Sequence, residues 1–512
     1  MSDHASRLER APLGALRRRS AAREVAVIDI GSNSVRLVVY RLDGRAMIPI
    51  LNEKVMAGLG RDLPKTGALS AAGVEDALKA LRRFTTIMEC IDLEHVDVAA
   101  TAAVRESRDG REFAARVEVE TGLKVRILPG SEEARLSALG VLAAIPEAKG
   151  VVGDLGGSSL EAIEISPEGP GRGETFPLGP FALMRSETYD DARAIRAIDQ
   201  ELERSRVLVG QGGTFYAVGG AWRAIARIDI TVKRHPLHVL QQYEMSRSEV
   251  FKVCDFVRKQ SKRSLEKLEE AASRRADGLP YAAAVLERVL VRGGFSRVIV
   301  SSYGLREGLI FAQMSPEARA EHPLIATAEA YGATSERTRD FGEALAKWIE
   351  PIFVNAAPVF GRGRDVLLRA AAARLVDLGG PLHPDQRAEL TFELVLRAPL
   401  VGISHRERAF LAAAVHHRYT RSAPDEEAEA YWTLLDDEGR EAAMAAGAAL
   451  RLGADISGRS EALLTLFRIG WDDVTLVVTS APGRADLINE QALRRLTTLG
   501  DALGVKTRVD VS

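Results

Sequence analysis

The 512-residue chain has only two cysteines, Cys90 and Cys254, so no disulfide framework holds it together. No apolar run approaches the roughly 20 residues that span a bilayer, which excludes a helical membrane span. The opening stretch, MSDHASRLERAPLGALRRRSAAR, is basic but lacks the apolar core of a secretory signal. A reducing cytoplasm is the expected compartment. There is also no charge of one sign to exploit: 69 Lys and Arg against 71 Asp and Glu leave a formal net charge of -2. Without a global basic field, no specific nucleic-acid partner is expected, and an anionic ligand must be held by local clusters. Low-complexity sequence is confined to residues 1–22, which read as a basic disordered arm.

What is present is length and apolar content. At 46% hydrophobic residues, 512 residues suffice for three or four domains. Residues 23–149 alternate strand-like runs (VAVIDI, VRLVVY, VDVAA, VRILP) with helical stretches such as Ala71 to Met88, an α/β pattern. The alternation resumes over 150–316 with GVVGDL, LEAIEI, GTFYAVGG and RVIVSS. Residues 317–449 are Ala- and Leu-rich at helical spacing, and 450–512 return to a small α/β unit with a helix at about Asn489 to Ala502.

One pattern occurs twice. VAVIDIGSNSVRLVVY, from Val25, and VVGDLGGSSLEAIEI, from Val151, both run from an apolar strand through Asp, then Gly two residues on, small hydroxyl residues, a charged side chain and a second apolar run. Arg36 and Glu161 each stand seven positions after their aspartates, Asp29 and Asp154. A strand ending in Asp-x-Gly before small residues makes a tight hairpin whose amides point beyond the turn, a cradle for phosphate. Two such hairpins in two similar halves would face each other across a cleft. Two unrelated hairpins are the plainer alternative, and the shared spacing favours duplication.

Six segments in order, DIGSNSVRLVVY, ATAAVRES, GSEEARLSALGV, DLGGSSLEAIE, AVGGAWRAIARI and SSYGLREGLIF, resemble the exopolyphosphatase and guanosine pentaphosphate phosphatase family over about Val25 to Met314. That family belongs to the larger group of actin, sugar kinases and heat-shock chaperones. The resemblance implies two ribonuclease-H-like (actin-like) α/β domains forming a cleft, followed by an HD-like all-helical domain and a small C-terminal α/β unit. It also implies hydrolysis of a terminal phosphoanhydride, which needs a positioned water, an acceptor for its proton and positive charge against the equatorial oxygens.

The resemblance puts the water's base in SEEAR. Helical periodicity does not choose between Glu132, on a stripe with Leu136 and Leu139, and Glu133 beside it; alignment to the family motif favours Glu133. Acidic residues complementing a helix dipole after a Ser131 cap are the bland alternative. Asp154 and Glu161 are implied to hold magnesium, or manganese in its place, or to orient the water, with a monovalent cation as a further ion. Gly156 and Gly157 supply turn amides, and Ser158 replaces the family's usual third glycine, either crowding the turn or adding a phosphate contact. In the first hairpin Gly31, Ser32 and Asn33 supply amides, Ser34 a hydroxyl, and Arg36 a catalytic guanidinium that can pair two phosphate oxygens. Arg105 matches an arginine that the family places against substrate phosphates. A salt-bridged strand residue and a surface arginine are the plain alternatives for Arg36 and Arg105. Asp29 either touches metal through water or holds its turn.

AVGGAWRAIARI has Ala221 where the family usually has Thr, so with Trp222 it reads as packed core and not as an ATP site, with Gly219 and Gly220 allowing close helix packing. Ser302, Tyr303 and Arg306 are implied to wall the cleft, Arg306 as a substrate contact; a helix cap is the alternative. Lys233 and Arg234, in TVKRHPLH, would continue a phosphate track or simply form a solvated face. In longer family members the helical region resembles HD phosphohydrolases, yet ARLVDLGG has Val376 in place of the histidine, leaving Asp377 alone and His383, His405, His416 and His417 without a metal-binding frame. It reads as a scaffold shaping a channel or a homodimer. Three functions follow: a processive exopolyphosphatase acting on inorganic polyphosphate, a phosphatase acting on guanosine pentaphosphate (pppGpp), or a non-catalytic anion sensor. Intact Glu133, Asp154, Glu161 and Arg36 argue against the sensor, and the four-domain length favours the exopolyphosphatase.

Overall fold

In the computed structural model, which describes residues 22–184, 188–268, 276–333, 335–424 and 429–511, the doubled pattern becomes a doubled sheet. The expected basic arm, apart from Ala22, lies outside the described residues. The first sheet comprises β1 (Arg23–Ile30), β2 (Val35–Asp43), β3 (Ala46–Val55), β4 (His95–Ala100) and β5 (Arg126–Ile127), ordered β3-β2-β1-β4-β5. Its first three strands form an antiparallel meander, and β4 and β5 add in parallel. The second sheet comprises β6 (Gly150–Leu155), β7 (Leu160–Ser166), β8 (Gly169–Phe176), β9 (Thr214–Val218), β10 (Glu244–Ser246) and β11 (Arg297–Val300). Its order, β10-β11-β9-β6-β7-β8, repeats the meander and the two parallel additions and then gains an antiparallel edge strand.

Central β1 and β6 are covered on both faces and read as near-continuous apolar runs. The edge strands β3, with Pro49, and β8, with Gly169, Pro170, Gly171 and Gly173, tolerate residues that central positions would not. The helix Ala71–Met88 has the bounds that its periodicity gave, and buries Ala77, Leu78, Leu81, Phe84 and Met88 on one face.

The boundary expected at 149/150 separates the strands but not the helices. Helix Gly130–Ala144, N-terminal to that boundary, packs Ala134, Ala138 and Val141 against Val152, Ile163 and Ile165 of the second sheet. Helix Leu305–Gln313, C-terminal to it, packs Leu305 and Leu309 against Val25, Val27, Val38 and Tyr40 of the first. The two helices cross where side chains are missing. A Cβ on Gly140 would lie closer than 3.0 Å to the Gly304 carbonyl oxygen, and one on Gly308 closer than 3.0 Å to that of Leu136.

The expected division at 449/450 is corrected outright. Helix Asp437–Ile456 runs through it, and Ala449, Leu450 and Leu452 share one core with Phe341 and Phe410 of the helical region and with Phe467, Leu476 and Leu496 of the C-terminal unit. The helices and the small sheet β12 (Phe467–Asp472), β13 (Thr475–Ser480) and β14 (Lys506–Val511) are therefore one body. Arg45, in the β2–β3 turn, ties it to the first half: its guanidinium donates to the carbonyls of Leu142 and Ala143, at a helix end, and of Arg319 and Glu321, on the way into the helical region. His405 meets His235 of the second half, Nδ1 to Nε2 at 2.8 Å. Among the described residues, no helix is long and apolar enough to cross a membrane.

Gly308→Ala should lower stability by about 3 kcal/mol, the upper end for overpacking. Gly363→Ala, in open space at a helix start, should be neutral or slightly stabilising. Urea unfolding of both variants tests this; equal effects would mean the helix crossing has room to spare.

Candidate active site

The paired strands place the repeated residues in identical register. Asp29 is the cross-strand partner of Arg36, and Asp154 that of Glu161. Each turn closes with the same backbone bond, Gly31 N to Ser34 O at 3.0 Å and Gly156 N to Ser159 O at 2.9 Å. The turns meet tip to tip: Ser158 Oγ donates to Ser32 Oγ at 3.0 Å, and a Cβ on Gly157 would press on the Ser32 side chain. Ser158 thus neither crowds its own turn nor faces the cleft; it joins the two halves.

Beside this contact lies a cavity of about 480 Å³. Of the residues expected in the site, Gly31, Ser32, Asn33, Ser34, Arg36, Glu133, Asp154, Gly156, Gly157 and Arg306 line it, as do Asp29 and Ser302. Tyr303 is half-buried against the shared core. Trp222 packs edge-on to Phe215 and donates to the Ala282 carbonyl, the core position expected of it.

The two glutamates of SEEAR part company. Glu132 pairs with Arg126 at the surface, whereas Glu133 is buried on the cavity wall and accepts from Arg105 at 2.7 Å. Burial pushes the Glu133 carboxyl up to about 7, against the Arg105 bond and charge and with the charges of Asp154 and Asp29 adding to the rise. Asp154 is raised by burial although Ser137 donates to its Oδ2 at 2.5 Å. Glu161, 1% exposed, is raised well above the carboxylate range by burial and by Glu133, and its Oε1 has no hydrogen-bond partner.

Two residues expected in the site stand behind the cavity lining. Arg105 does not line the cavity; it lies behind Glu133, donating also to the Leu128 carbonyl, with Glu161 at 3.9 Å. Glu161 likewise sits behind the wall, its side chain inside the sheet's packing. Lys233 and Arg234 are not brought to the site at all. They stand at the far end of helix Gly220–Lys233, about 20 Å from its cleft end at 1.5 Å per residue, and Lys233 is paired with Asp229 and Glu249.

The same cavity is lined by a group of guanidiniums. Arg306 donates to Asp29 at 2.9 Å and, despite burial, is held above its ordinary value by Glu307, Tyr40 and Asp29. Arg36 donates to Asn52, and burial and then the charge of Arg306 lower it. Arg223, which sequence reasoning missed, bonds among the described residues only to the carbonyls of Gly219 and Ser302, and burial, then Arg306 and Arg36, push it down to about 10. It lies four residues after Gly219, in the first turn of a helix that starts at the cleft, and this spacing was its one signal. Lys54 was missed with its strand: it is the cross-strand partner of Arg36 and so faces the same way. Arg36 and Arg223, each lowered by cationic neighbours and in no ion pair among the described residues, form with Arg306 and Lys54 a wall for a multiply charged anion.

Comparison with known proteins now adds to the geometry. A family model described as the Ppx/GppA phosphatase family matches residues 38–317, more than half of the chain. The chain belongs to this family. A second model, described as exopolyphosphatase, C-terminal, matches residues 324–509. Exopolyphosphatase 1 of Mycobacterium tuberculosis is 25% identical over 307 residues, covering 57% of this chain and 89% of the relative. Retrograde regulation protein 2 of Saccharomyces cerevisiae is 24% identical over 450 residues, covering 78% and 73%. A crystal structure of an exopolyphosphatase from Cytophaga hutchinsonii shares the fold with a TM-score of 0.54 at 23% identity, covering 57% of this chain and 98% of that one. The Ppx/GppA family member from Aquifex aeolicus gives a TM-score of 0.50 at 24% identity, covering 57% and 97%. As a Ppx/GppA member the protein is a phosphoanhydride hydrolase, and its first two sheets are the two actin-like halves.

A carboxyl raised from 4.5 to about 7 by folding contributes stability that is full below 4.5 and lost as pH rises through 7. The Glu133→Gln protein should therefore gain in Tm over wild type between about pH 5 and pH 8. A difference that does not change with pH would mean that Glu133 is ionised throughout.

Proposed function

We propose that this phosphatase is an exopolyphosphatase, releasing orthophosphate from the end of inorganic polyphosphate. The observation that carries the reading is one cavity in which two phosphate-cradling turns, the guanidiniums of Arg36, Arg223 and Arg306, and two carboxyls of raised pKa, Glu133 and Asp154, converge. The name of the Mycobacterium relative and the match of the helical body to an exopolyphosphatase C-terminal model support it.

In this reading the terminal phosphoryl group lies against the amides of Gly31, Ser32, Asn33, Gly156 and Gly157, with Arg36, Arg223 and Arg306 on its oxygens. Glu133 takes the proton of the attacking water, and Arg105 is its positioning residue, holding the carboxylate by one oxygen. Asp29 holds Arg306 in place. A divalent cation fits the donors present. Buried carboxylates outnumber their ion partners, Asp154 reaches the cavity, and the Glu161 oxygen is unsatisfied. Among the described residues no three His, Cys, Asp or Glu converge as a ligand set, so the fit is to a hydrated ion shared with phosphate oxygens. Asp154 would hold it, with Glu161 behind. When bound, magnesium or manganese neutralises phosphate charge and polarises the phosphoryl oxygens. A cytoplasmic homodimer, with the helical bodies prolonging the channel, belongs to the same reading.

Glu133→Gln should lower kcat by about 10²–10⁴-fold, the usual contribution of a general base, while Glu132→Gln stays within about twofold of wild type. Loss with Glu132→Gln instead would move the base by one residue. Chelation should abolish phosphate release, and Asp154→Asn should weaken the metal dependence and turnover together.

Side-by-side assay of long polyphosphate, tripolyphosphate and pppGpp tests the substrate. Long chains should bind most tightly, with an affinity that falls as salt rises, and should yield free phosphate with few intermediates on gels. Evenly shortening products, with pppGpp turned over as well as long chains, would favour the nucleotide phosphatase.

A further inference from the structure

Besides the partly buried Arg36, Arg223 and Arg306, two exposed cations line the cleft, Lys54 and Arg61. Arg61 sits in the loop that follows β3, and that loop is zipped to the first phosphate turn. Gly58 N donates to the Asn33 carbonyl at 3.0 Å, and Gly60 N to that of Ser32 at 2.8 Å. Gly60 backs the contact between the two turns, where a Cβ would stand 3.0 Å from Ser32 Cβ and 3.2 Å from Ser158 Oγ. Gly58 has a φ of +67°, a conformation suited to glycine, and the Arg61 guanidinium folds over it, with Nη2 3.0 Å from where a Cβ would be. The sequence between β3 and the short helix Leu63–Thr66 thus holds a guanidinium beside the Asn33 edge of the turn.

That guanidinium has nothing to bind. Among the described residues its side chain makes no hydrogen bond or ion pair, not even with adjacent Asp62. The carboxylates on the cavity lining are engaged elsewhere: Asp29 with Arg306, Asp154 with Ser137, Glu133 with Arg105 and Asp277 with Lys262. A planar fork of donors at the mouth of an anion site suits two oxygens of one phosphate.

Exposure sets the order in which an entering anion meets these groups. With the terminal phosphoryl group on the turns and the three inner guanidiniums, the outer cations can touch only the phosphates behind it. We infer that Arg61 is a specificity-determining residue of the cleft, pairing with the phosphates of the leaving group, with Lys54 adding charge to the same subsite. This selects an anhydride of several phosphates over a single phosphate. The assignment rests on the cleft taking a phosphoanhydride by its end, and not on whether polyphosphate or pppGpp supplies it.

Calorimetry on the full chain at low ionic strength tests it, with tripolyphosphate and, separately, inorganic phosphate. A Glu133→Gln background slows hydrolysis, so binding alone is read. Arg61→Gln should weaken tripolyphosphate by about tenfold or more, the scale of one hydrogen-bonded charge pair, and inorganic phosphate by less than twofold. Lys65→Gln, an exposed cation four residues on that does not line the cavity, should change neither. Thermal unfolding should be unchanged in both, since neither side chain is buried. Tripolyphosphate affinity unchanged by Arg61→Gln, or reduced equally by Lys65→Gln, would overturn the assignment. So would an equal loss of inorganic phosphate, because Arg61 would then hold the terminal group. Arg36→Gln should weaken both ligands; if it weakens neither, the reading of the cleft fails and this assignment with it.

Discussion

Two helices cross with only backbone between them, and the position of the cleft's working groups follows from that crossing. Helix Gly130–Ala144 carries Glu133 near its start and Ser137, which holds Asp154, one turn later; helix Leu305–Gln313 carries Arg306 and Glu307. Each packs on the other half's sheet, so neither half is complete alone. The missing side chains at Gly140 and Gly308 set how near the axes come, and thereby how near a carboxylate of one helix stands to the guanidinium of the other. A shift at the crossing would be felt in the cleft as a shift of the charges themselves.

Those charges are in an arrangement that costs folding free energy. Glu133, Asp154 and Glu161 are buried within reach of each other's fields, while Arg306 lowers Arg36 and both lower Arg223 on the lining of the same cavity. Folding alone would favour neutral residues in such places. The backbone geometry that holds them is two hairpins in matched register and two interlocked helices.

Much of this was legible in the sequence, because the doubled pattern encodes a register. Seven residues from Asp29 to Arg36 and from Asp154 to Glu161 give one strand end, one turn and one return, and the partners duly face each other. Trp222 and the Ala71–Met88 helix declared themselves through bulk and periodicity. Periodicity failed at Glu132 and Glu133 because the first turn of that helix faces a cleft and not a core, so burial there obeys no apolar stripe. The contact of Arg105 with Glu133 was not legible because the two lie 28 residues apart, in a tertiary contact that no local pattern announces. Strand β3 was overlooked because an edge position lets it carry Pro49 and Lys54 at no cost, and Lys54 went with it. The false boundary at 449/450 came from composition changing within a helix whose apolar face continues.

The hydroxyl contact between Ser32 and Ser158 makes the floor of the cleft a spine, like that of a book. Rotation of the halves about it would move the rim most and the turns least, so the groups that grip a phosphate are the ones least disturbed by opening. A spine also has no back door. If the substrate is the linear polyanion proposed above, two turns in contact leave it no passage between them, and in that reading it comes in by its tip and leaves by the way it came, one unit shorter.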